Sequence, residues 1–332
     1  MKITFFSAKA YDIEFFNREN EHFGFEIEYF ETHLGPHIIN AVTKTDAVCV
    51  FVNDKVNAQV IESLARQGVK VIALRCAGFN NVDLAAASAH GIQVCRVPAY
   101  SPQAVSEHAV AMLLTLNRKT HKAYNRVREQ NFSLQGLVGF DVHNKTVGVV
   151  GTGNIGKAFC KIMLGFGCKV IAFDVYPNDE LENLGVTYLP LPDVLSQSDI
   201  ISLHCPLNDQ TKHMINEQTI NSMKSGVMLI NTSRGGLVDS KAAIQGLKSG
   251  RIGYLGIDVY EQEEKLFFRD LSSEIIDDDV IQRLMSFPNV LITAHQAFFT
   301  KDALKQIADI SLNNISDLLN GKEPKNKTAL LN

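Results

Sequence analysis

No apolar run in this 332-residue chain approaches the roughly 20 residues that a membrane-spanning helix needs. The apolar start at Met1–Phe6 regains charge at Lys9, Asp12 and Glu14, too soon for a secretory signal. Neither sign of charge dominates: 32 Lys and Arg stand against 36 Asp and Glu, a formal net of -4. That leaves no electrostatic footprint for nucleic acid or an anionic membrane surface. The 6 cysteines, at positions 49, 76, 95, 160, 168 and 205, form no CxxC pair and no Cys/His cluster with zinc spacing. No bound metal is expected, and the thiols read as reduced and buried in a cytoplasmic protein. Low-complexity segments and short repeats are also lacking. The rest is ordinary globular composition, 45% apolar and 20% charged, in a chain long enough for two domains.

What is present is an alternation of short apolar strands and helical patterns, which predicts parallel α/β architecture. One set of strands is read at 3–6, 26–30, 47–52, 69–74 and 92–97. A second is read at 146–150, 169–173, 200–203, 227–230, 254–257 and 290–292. Two sets imply two doubly wound parallel-sheet domains. The boundary falls near Pro98–Pro102, where Ser101 suits an N-cap and Pro102 the first helical position. The helix predicted over 103–116 is rich in Ala, Val, Met and Leu on almost every face, and such a helix must be covered on all sides. Burial between domains or between subunits is expected, and with it a homodimer or homotetramer; burial within one domain is the alternative. A long helix over 303–320, ended by Gly321 and Pro324, is placed to pack back onto the first domain. The second domain is then an insertion.

The run Thr146–Val150 leads into Gly151-Thr152-Gly153-Asn154-Ile155-Gly156, and Asp174 closes the next strand. This is the pattern of a dinucleotide-binding turn. Gly151 permits the tight turn, Gly153 lets backbone approach a pyrophosphate, and Gly156 lets helix and strand pack closely. The helix N-terminus offers free N–H groups and partial positive charge to the phosphates. Asp174 is expected to accept from the ribose hydroxyls and repel a 2′-phosphate, favouring NAD over NADP.

Ligands of open parallel sheets bind outside the carboxyl ends of the strands. In the second set those ends carry Gly151, Asp174, His204-Cys205-Pro206, Asn231–Gly236, Asp258 and His295. Such a succession describes one edge given over to a ligand. Reducing a carbonyl by hydride requires a proton, which a histidine supplies in the right pH range. A 2-keto acid also presents a carboxylate, which suits the planar fork of arginine, and a carboxylate beside a histidine favours the imidazolium. His295, Arg234 and Glu263 fit these roles. The plainer readings are a turn histidine, an arginine paired with a surface acid, and a glutamate in the solvated acidic run of Glu261 and Glu264.

The chain resembles the D-2-hydroxyacid dehydrogenase family over essentially its whole length, and most closely the fermentative branch that reduces pyruvate to D-lactate. The resemblance rests on Leu74–Asp83, Val97–Pro102, the glycine fingerprint, Leu203–Leu207, Asn231–Gly236, Gly256–Glu261 and Thr293–Ala297. It implies a flavodoxin-like catalytic domain, 1–99 plus 300–332, with an inserted Rossmann NAD-binding domain, 100–299. It also implies that Arg234 binds the substrate carboxylate and polarises the carbonyl, that His295 is the acid/base, and that Glu263 is its partner. His204, Cys205 and Pro206 belong to the implied cofactor set, with Thr232, Ser233 and Asp258 near the nicotinamide. Backbone N–H groups of Ala77 and Gly78 would hold the carboxylate, and Tyr100 would reach the substrate. Phe51, Phe298 and Phe299 suit a small apolar wall for the methyl of pyruvate, with ordinary packing as the alternative. The acidic stretch 261–288 resembles the same branch and has no reading of its own. The rivals are a dehydrogenase for a larger 2-keto acid and a corepressor-type protein that binds NAD as a conformational ligand.

Overall fold

Small and β-branched residues build five strands at the start of the chain: β1 (Lys2–Phe5), β2 (Glu26–Tyr29), β3 (Ala47–Val50), β4 (Val71–Leu74) and β5 (Gln93–Arg96). They pair in parallel in the order β2-β1-β3-β4-β5. That is the flavodoxin-like order. Every residue of β3 and β4 is buried, as central strands covered on both faces require. In this computed structural model, which describes residues 1–39 and 42–332, the sheet belongs to a unit formed by Met1–Ser101 and Phe299–Asn332. The returning segment is the helix Lys301–Leu319. Thr300 caps it by accepting from the Ala303 N–H, and Gly321, at φ +70, ends it. Its buried Ala308, Leu312 and Ile315 face inward, and Asn314 donates to the Arg96 carbonyl at 3.0 Å. Leu331 then donates to the Val94 carbonyl at 2.9 Å, stitching the last residues onto β5.

The second unit, Pro102–Phe298, holds β6 (Thr146–Val150), β7 (Lys169–Phe173), β8 (Thr187–Tyr188), β9 (Ile200–Leu203), β10 (Val227–Asn231), β11 (Ile252–Ile257) and β12 (Val290–Ile292). Their order is β12-β11-β10-β9-β6-β7-β8, all parallel. This is the Rossmann order with one strand added beyond β11, and the direction of winding reverses between β6 and β9. β8 is absent from the expected set because two residues carry no periodicity. β11 begins earlier than expected, at Ile252, since Gly253 interrupts the apolar run.

The helix Pro102–Arg118 corrects one expectation. Gln103, Glu107, Ala111 and Arg118 are exposed along one side. The opposite side, with Ala109, Val110, Met112, Leu113 and Leu116, packs into a core shared with Val147, Val149, Met228 and Ile230. Ala109, Val110, Met112, Leu113 and Leu116 are covered within the second unit, so these residues do not themselves require a second subunit. Among the described residues no helix is long and apolar enough to cross a membrane.

The first unit buries an ion pair. Arg75, 2% exposed, meets Asp12, 5% exposed, at 3.3 Å, donates to the carbonyls of Phe6 and Ser7, and stacks on the rings of Phe5 and Phe51. Removing one partner of such a pair strands the other charge away from water. Asp12→Ala is therefore expected to lower stability by about 3–5 kcal/mol in urea unfolding. A loss under 1 kcal/mol would show that the pair is solvated.

Candidate active site

Three glycines of the fingerprint do separate jobs. Gly151 turns at φ +93, and a Cβ there would lie 2.6 Å from the Cys205 nitrogen. At Gly156 a Cβ would collide with the Gly151 carbonyl oxygen. Around Gly153 nothing lies within 4 Å of the same position, so that face is open to a ligand. The helix Asn154–Gly165 then starts with no side-chain cap, and Gly153 and Asn154 are exposed. Its first N–H groups, those of Asn154, Ile155 and Gly156 among them, are thus available to an anion.

Asp174 stands at the end of β7 with one oxygen held by the Thr152 backbone N–H at 2.5 Å and by the Thr152 hydroxyl at 3.1 Å. The other accepts from the Tyr176 N–H at 2.9 Å. The Thr152 N–H and hydroxyl thus orient the Asp174 carboxylate. Burial pushes the His204 imidazole down to about 3, so the ring is neutral. Its Nε2 lies 2.9 Å from the Ser202 hydroxyl, while its Nδ1 is buried without a protein partner, as is the Thr232 hydroxyl. Such orphaned polar atoms beside a ligand edge are what a bound dinucleotide would satisfy. Ser233 donates to the Cys205 carbonyl at 2.7 Å, and Pro206 accepts from the Thr211 hydroxyl at 2.7 Å. These bonds fix the β9 and β10 ends to each other and to their loops. The donor set and the open glycine face fit NAD.

The strand ends next to these carry the candidate proton-transfer groups. His295 Nδ1 lies 2.7 Å from Glu263 Oε1, and the Tyr260 N–H donates to Glu263 Oε2 at 2.9 Å. His295 sits at φ +52, a left-handed conformation that a non-glycine residue adopts at a cost. It is held there by Asp258. The Asp258 carbonyl accepts the His295 N–H at 2.7 Å. Its carboxylate accepts the Thr293 hydroxyl at 2.5 Å and the N–H groups of Gln296 and Ala297, each at 2.9 Å. Asp258 is 0% exposed, and its carboxylate is held by the loop that carries His295. Burial pushes its carboxyl up, but bonds from His108, Thr293, Ala297 and Gln296 outweigh that and hold it below the usual range.

Arg234 follows β10. Asn231, 1% exposed, shapes its loop by donating to the Arg234 carbonyl at 2.9 Å and accepting the Ser233 N–H at 3.0 Å. The guanidinium donates to the Ser233 carbonyl at 2.7 Å. Among the described residues no carboxylate pairs with it, which disposes of the surface-pair reading and leaves donors for an anion.

In the first unit, Phe51 has its N–H on Asp54 at 2.5 Å and its ring against Arg75 at 4.6 Å. The carbonyls of Ala77 and Gly78 are used, by Arg96 at 2.8 Å and by the Cys76 thiol at 3.2 Å. Their N–H groups meet no acceptor among the described residues. Tyr100 is half-buried, Phe298 is buried, and Phe299 is half-exposed with its ring edge-on to Tyr11 at 4.7 Å.

Sequence reasoning missed several contributors. His108 lies 3.1 Å from the Thr293 hydroxyl and 3.4 Å from Asp258, and the Phe268 ring lies 5.8 Å from the His295 ring. No local spacing marks either residue, because each arrives from a distant segment.

Asp258→Asn is expected to cost about 2–3 kcal/mol at neutral pH, since an amide cannot replace an anion facing several donors. A carboxyl held low when folded contributes fully above its ordinary value of about 3.8 and loses that contribution as pH falls through the folded value. The difference between parent and variant in urea unfolding should then shrink in acid. A difference that persists unchanged there would refute the assignment.

The family model described as "D-isomer specific 2-hydroxyacid dehydrogenase, NAD binding domain" matches residues 110–297. The chain is 53% identical over 318 residues to 2-hydroxyacid dehydrogenase homolog 1 of Schizosaccharomyces pombe, covering 96% of each. It is 51% identical over 327 residues to D-lactate dehydrogenase of Escherichia coli, covering 98% of this chain and 99% of that one. Its structure matches the apo-structure of D-lactate dehydrogenase from Escherichia coli with a TM-score of 0.91 at 50% identity, covering 98% of this chain and 99% of the other.

Proposed function

The chain belongs to the D-isomer specific 2-hydroxyacid dehydrogenase family, and we propose that, as an NAD-dependent oxidoreductase of that family, it interconverts pyruvate and D-lactate. The observation that carries the reading is the 2.7 Å bond between His295 Nδ1 and Glu263. With Nδ1 committed to the carboxylate, Nε2 is the nitrogen left to exchange a proton with the substrate oxygen. Glu263, itself held by the Tyr260 N–H, fixes the orientation of the ring. Arg234, with donors to spare, takes the substrate carboxylate and polarises the carbonyl. When bound, NADH supplies the hydride to the carbonyl carbon. The remaining assignments follow the resemblance: Phe51, Ala77, Gly78, Tyr100 and Phe298 to the substrate, and Asp174, His204, Cys205, Pro206, Thr232 and Ser233 to the cofactor. Pyruvate is favoured over a larger 2-keto acid by the identity to an enzyme named for D-lactate and by aromatic side chains at the substrate positions. The 6 cysteines are all buried, as suits thiols of the cytoplasm.

Pyruvate should therefore discharge NADH absorbance, and His295→Ala should reduce kcat by about 10²–10⁴-fold. Turnover within twofold of the parent would remove the histidine from the mechanism. No NADH consumption with any 2-keto acid would instead favour the dinucleotide-binding rival.

We place the protein in a homodimer or homotetramer on the strength of one surface. The helix Thr120–Arg128 buries no residue, and Tyr124, Val127, Phe132, Leu134 and Val138 are each at least half exposed. An apolar cluster of this kind marks an association surface. Sedimentation velocity should show a dimer or larger at micromolar concentration, and Phe132→Asp with Leu134→Asp should dissociate it. A monomeric parent would overturn the proposal.

A further inference from the structure

The loop after β10 and the loop after β11 meet at a single glycine. A Cβ built on Gly235 would fall on the carbonyl carbon and oxygen of Tyr260 and on the nitrogen of Glu261. These are backbone atoms, so no side-chain rotation relieves the clash. Gly235 is not among the residues at positive φ, so its backbone is one that alanine accepts. Space alone excludes a side chain there. The neighbouring Gly236 is different, for a Cβ would meet only the flexible Leu207 side chain, at 3.0 Å.

The Tyr260–Glu261 peptide is fixed from its other side as well. The Tyr260 side chain is buried, and its hydroxyl lies 3.1 and 3.0 Å from the two Asp278 oxygens. Asp278 in turn caps the helix Asp279–Met285 by accepting from the N–H groups of Val280 and Ile281, each at 3.0 Å. Glu261 pairs with His213 at 2.6 Å. From this clamped peptide the Tyr260 N–H reaches Glu263 Oε2, which leaves Oε1 for His295. Of the ionisable side chains bonded into these loops, Asp258 is committed to its own turn, Glu261 to His213 and Asp278 to Tyr260.

We propose that Gly235 and the Tyr260–Glu261 peptide packed on it are a positioning element for proton transfer, the bare Cα of Gly235 letting the Tyr260 amide turn Glu263 onto His295. The inference deepens the reading of Glu263 and His295 given above and rests on it. It also joins the Arg234 loop to the acid/base pair, so that the group binding the carboxylate and the group moving the proton share one rigid contact. Neither Gly235 nor Tyr260 touches the reacting atoms in this scheme; both act through Glu263.

The test compares Gly235→Ala, Gly236→Ala, Tyr260→Phe and Glu263→Gln in the full chain, using NADH and the 2-keto acid reduced fastest. Values of kcat and KM are followed across pH. Gly235→Ala should move the alkaline limb of kcat/KM in the same direction as Glu263→Gln. Gly236→Ala should leave the limb where the parent has it. Tyr260→Phe adds no volume and removes only the Asp278 anchor, so it should shift the limb the same way even if Gly235→Ala does not fold. An unmoved limb in both Gly235→Ala and Tyr260→Phe, with Glu263→Gln shifted, overturns the positioning role alone. An unmoved limb in Glu263→Gln overturns the underlying reading of the pair.

Discussion

One buried carboxylate shapes the turn on which the chemistry of the second unit depends. Asp258 gathers a hydroxyl and two backbone amides from the segment after β12, and its carbonyl takes the amide of His295. An anion removed from water is costly unless donors surround it, and this one is surrounded. Apart from His108, the donors come from one short arc, so satisfying the charge and bending the chain are the same event. The left-handed conformation at His295 costs on the order of 1–3 kcal/mol and persists because the arc over-determines it. His108 adds a second layer, since its ring meets the Thr293 oxygen whose hydroxyl hydrogen points at Asp258.

The polar residues of the ligand edge divide into two kinds. Asp174, Ser233, Asn231 and Asp258 have their hydrogen-bonding capacity largely spent inside the chain, where they hold loops in shape. His204 Nδ1, the Thr232 hydroxyl and the free donors of Arg234 are not spent. Rigid loops thus present unsatisfied groups, a division that keeps the cost of ordering out of the binding step.

Much of this was legible in the sequence because it depends on local chemistry. Apolar runs marked β6, β7, β9 and β12 at their observed limits, since buried parallel strands are continuous in hydrophobicity. The glycine fingerprint was legible because the turn at Gly151 and the packing at Gly156 admit no side chain. Other features depend on what lies opposite, which one sequence does not contain. The exposed stripe of the helix Pro102–Arg118 includes Ala111, an apolar residue that gives no sign of its face. The bond from the Thr152 amide to Asp174 required knowing that β6 and β7 end side by side. His108 and Tyr260 were invisible for the same reason. In the acidic stretch 261–288, Asp278 has a defined task beside those of Glu261 and Glu263, and its charge alone did not set it apart from its neighbours.

The last strand contact of the first unit has a temporal meaning. Val94 receives its bond from Leu331, and β4 and β5 are covered by the helix Lys301–Leu319. During synthesis the first sheet must wait for a helix that is made only after Pro102–Phe298. Pro102–Phe298, continuous in the chain, can close its core while the earlier residues still lack their cover. At the ordinary pace of about 5–20 residues per second, the exposed apolar face of β4 and β5 stays without its helix for roughly ten seconds or more. The order of maturation is therefore the reverse of the order of translation, and the nascent chain is most in need of chaperone protection in the segment made before the inserted unit.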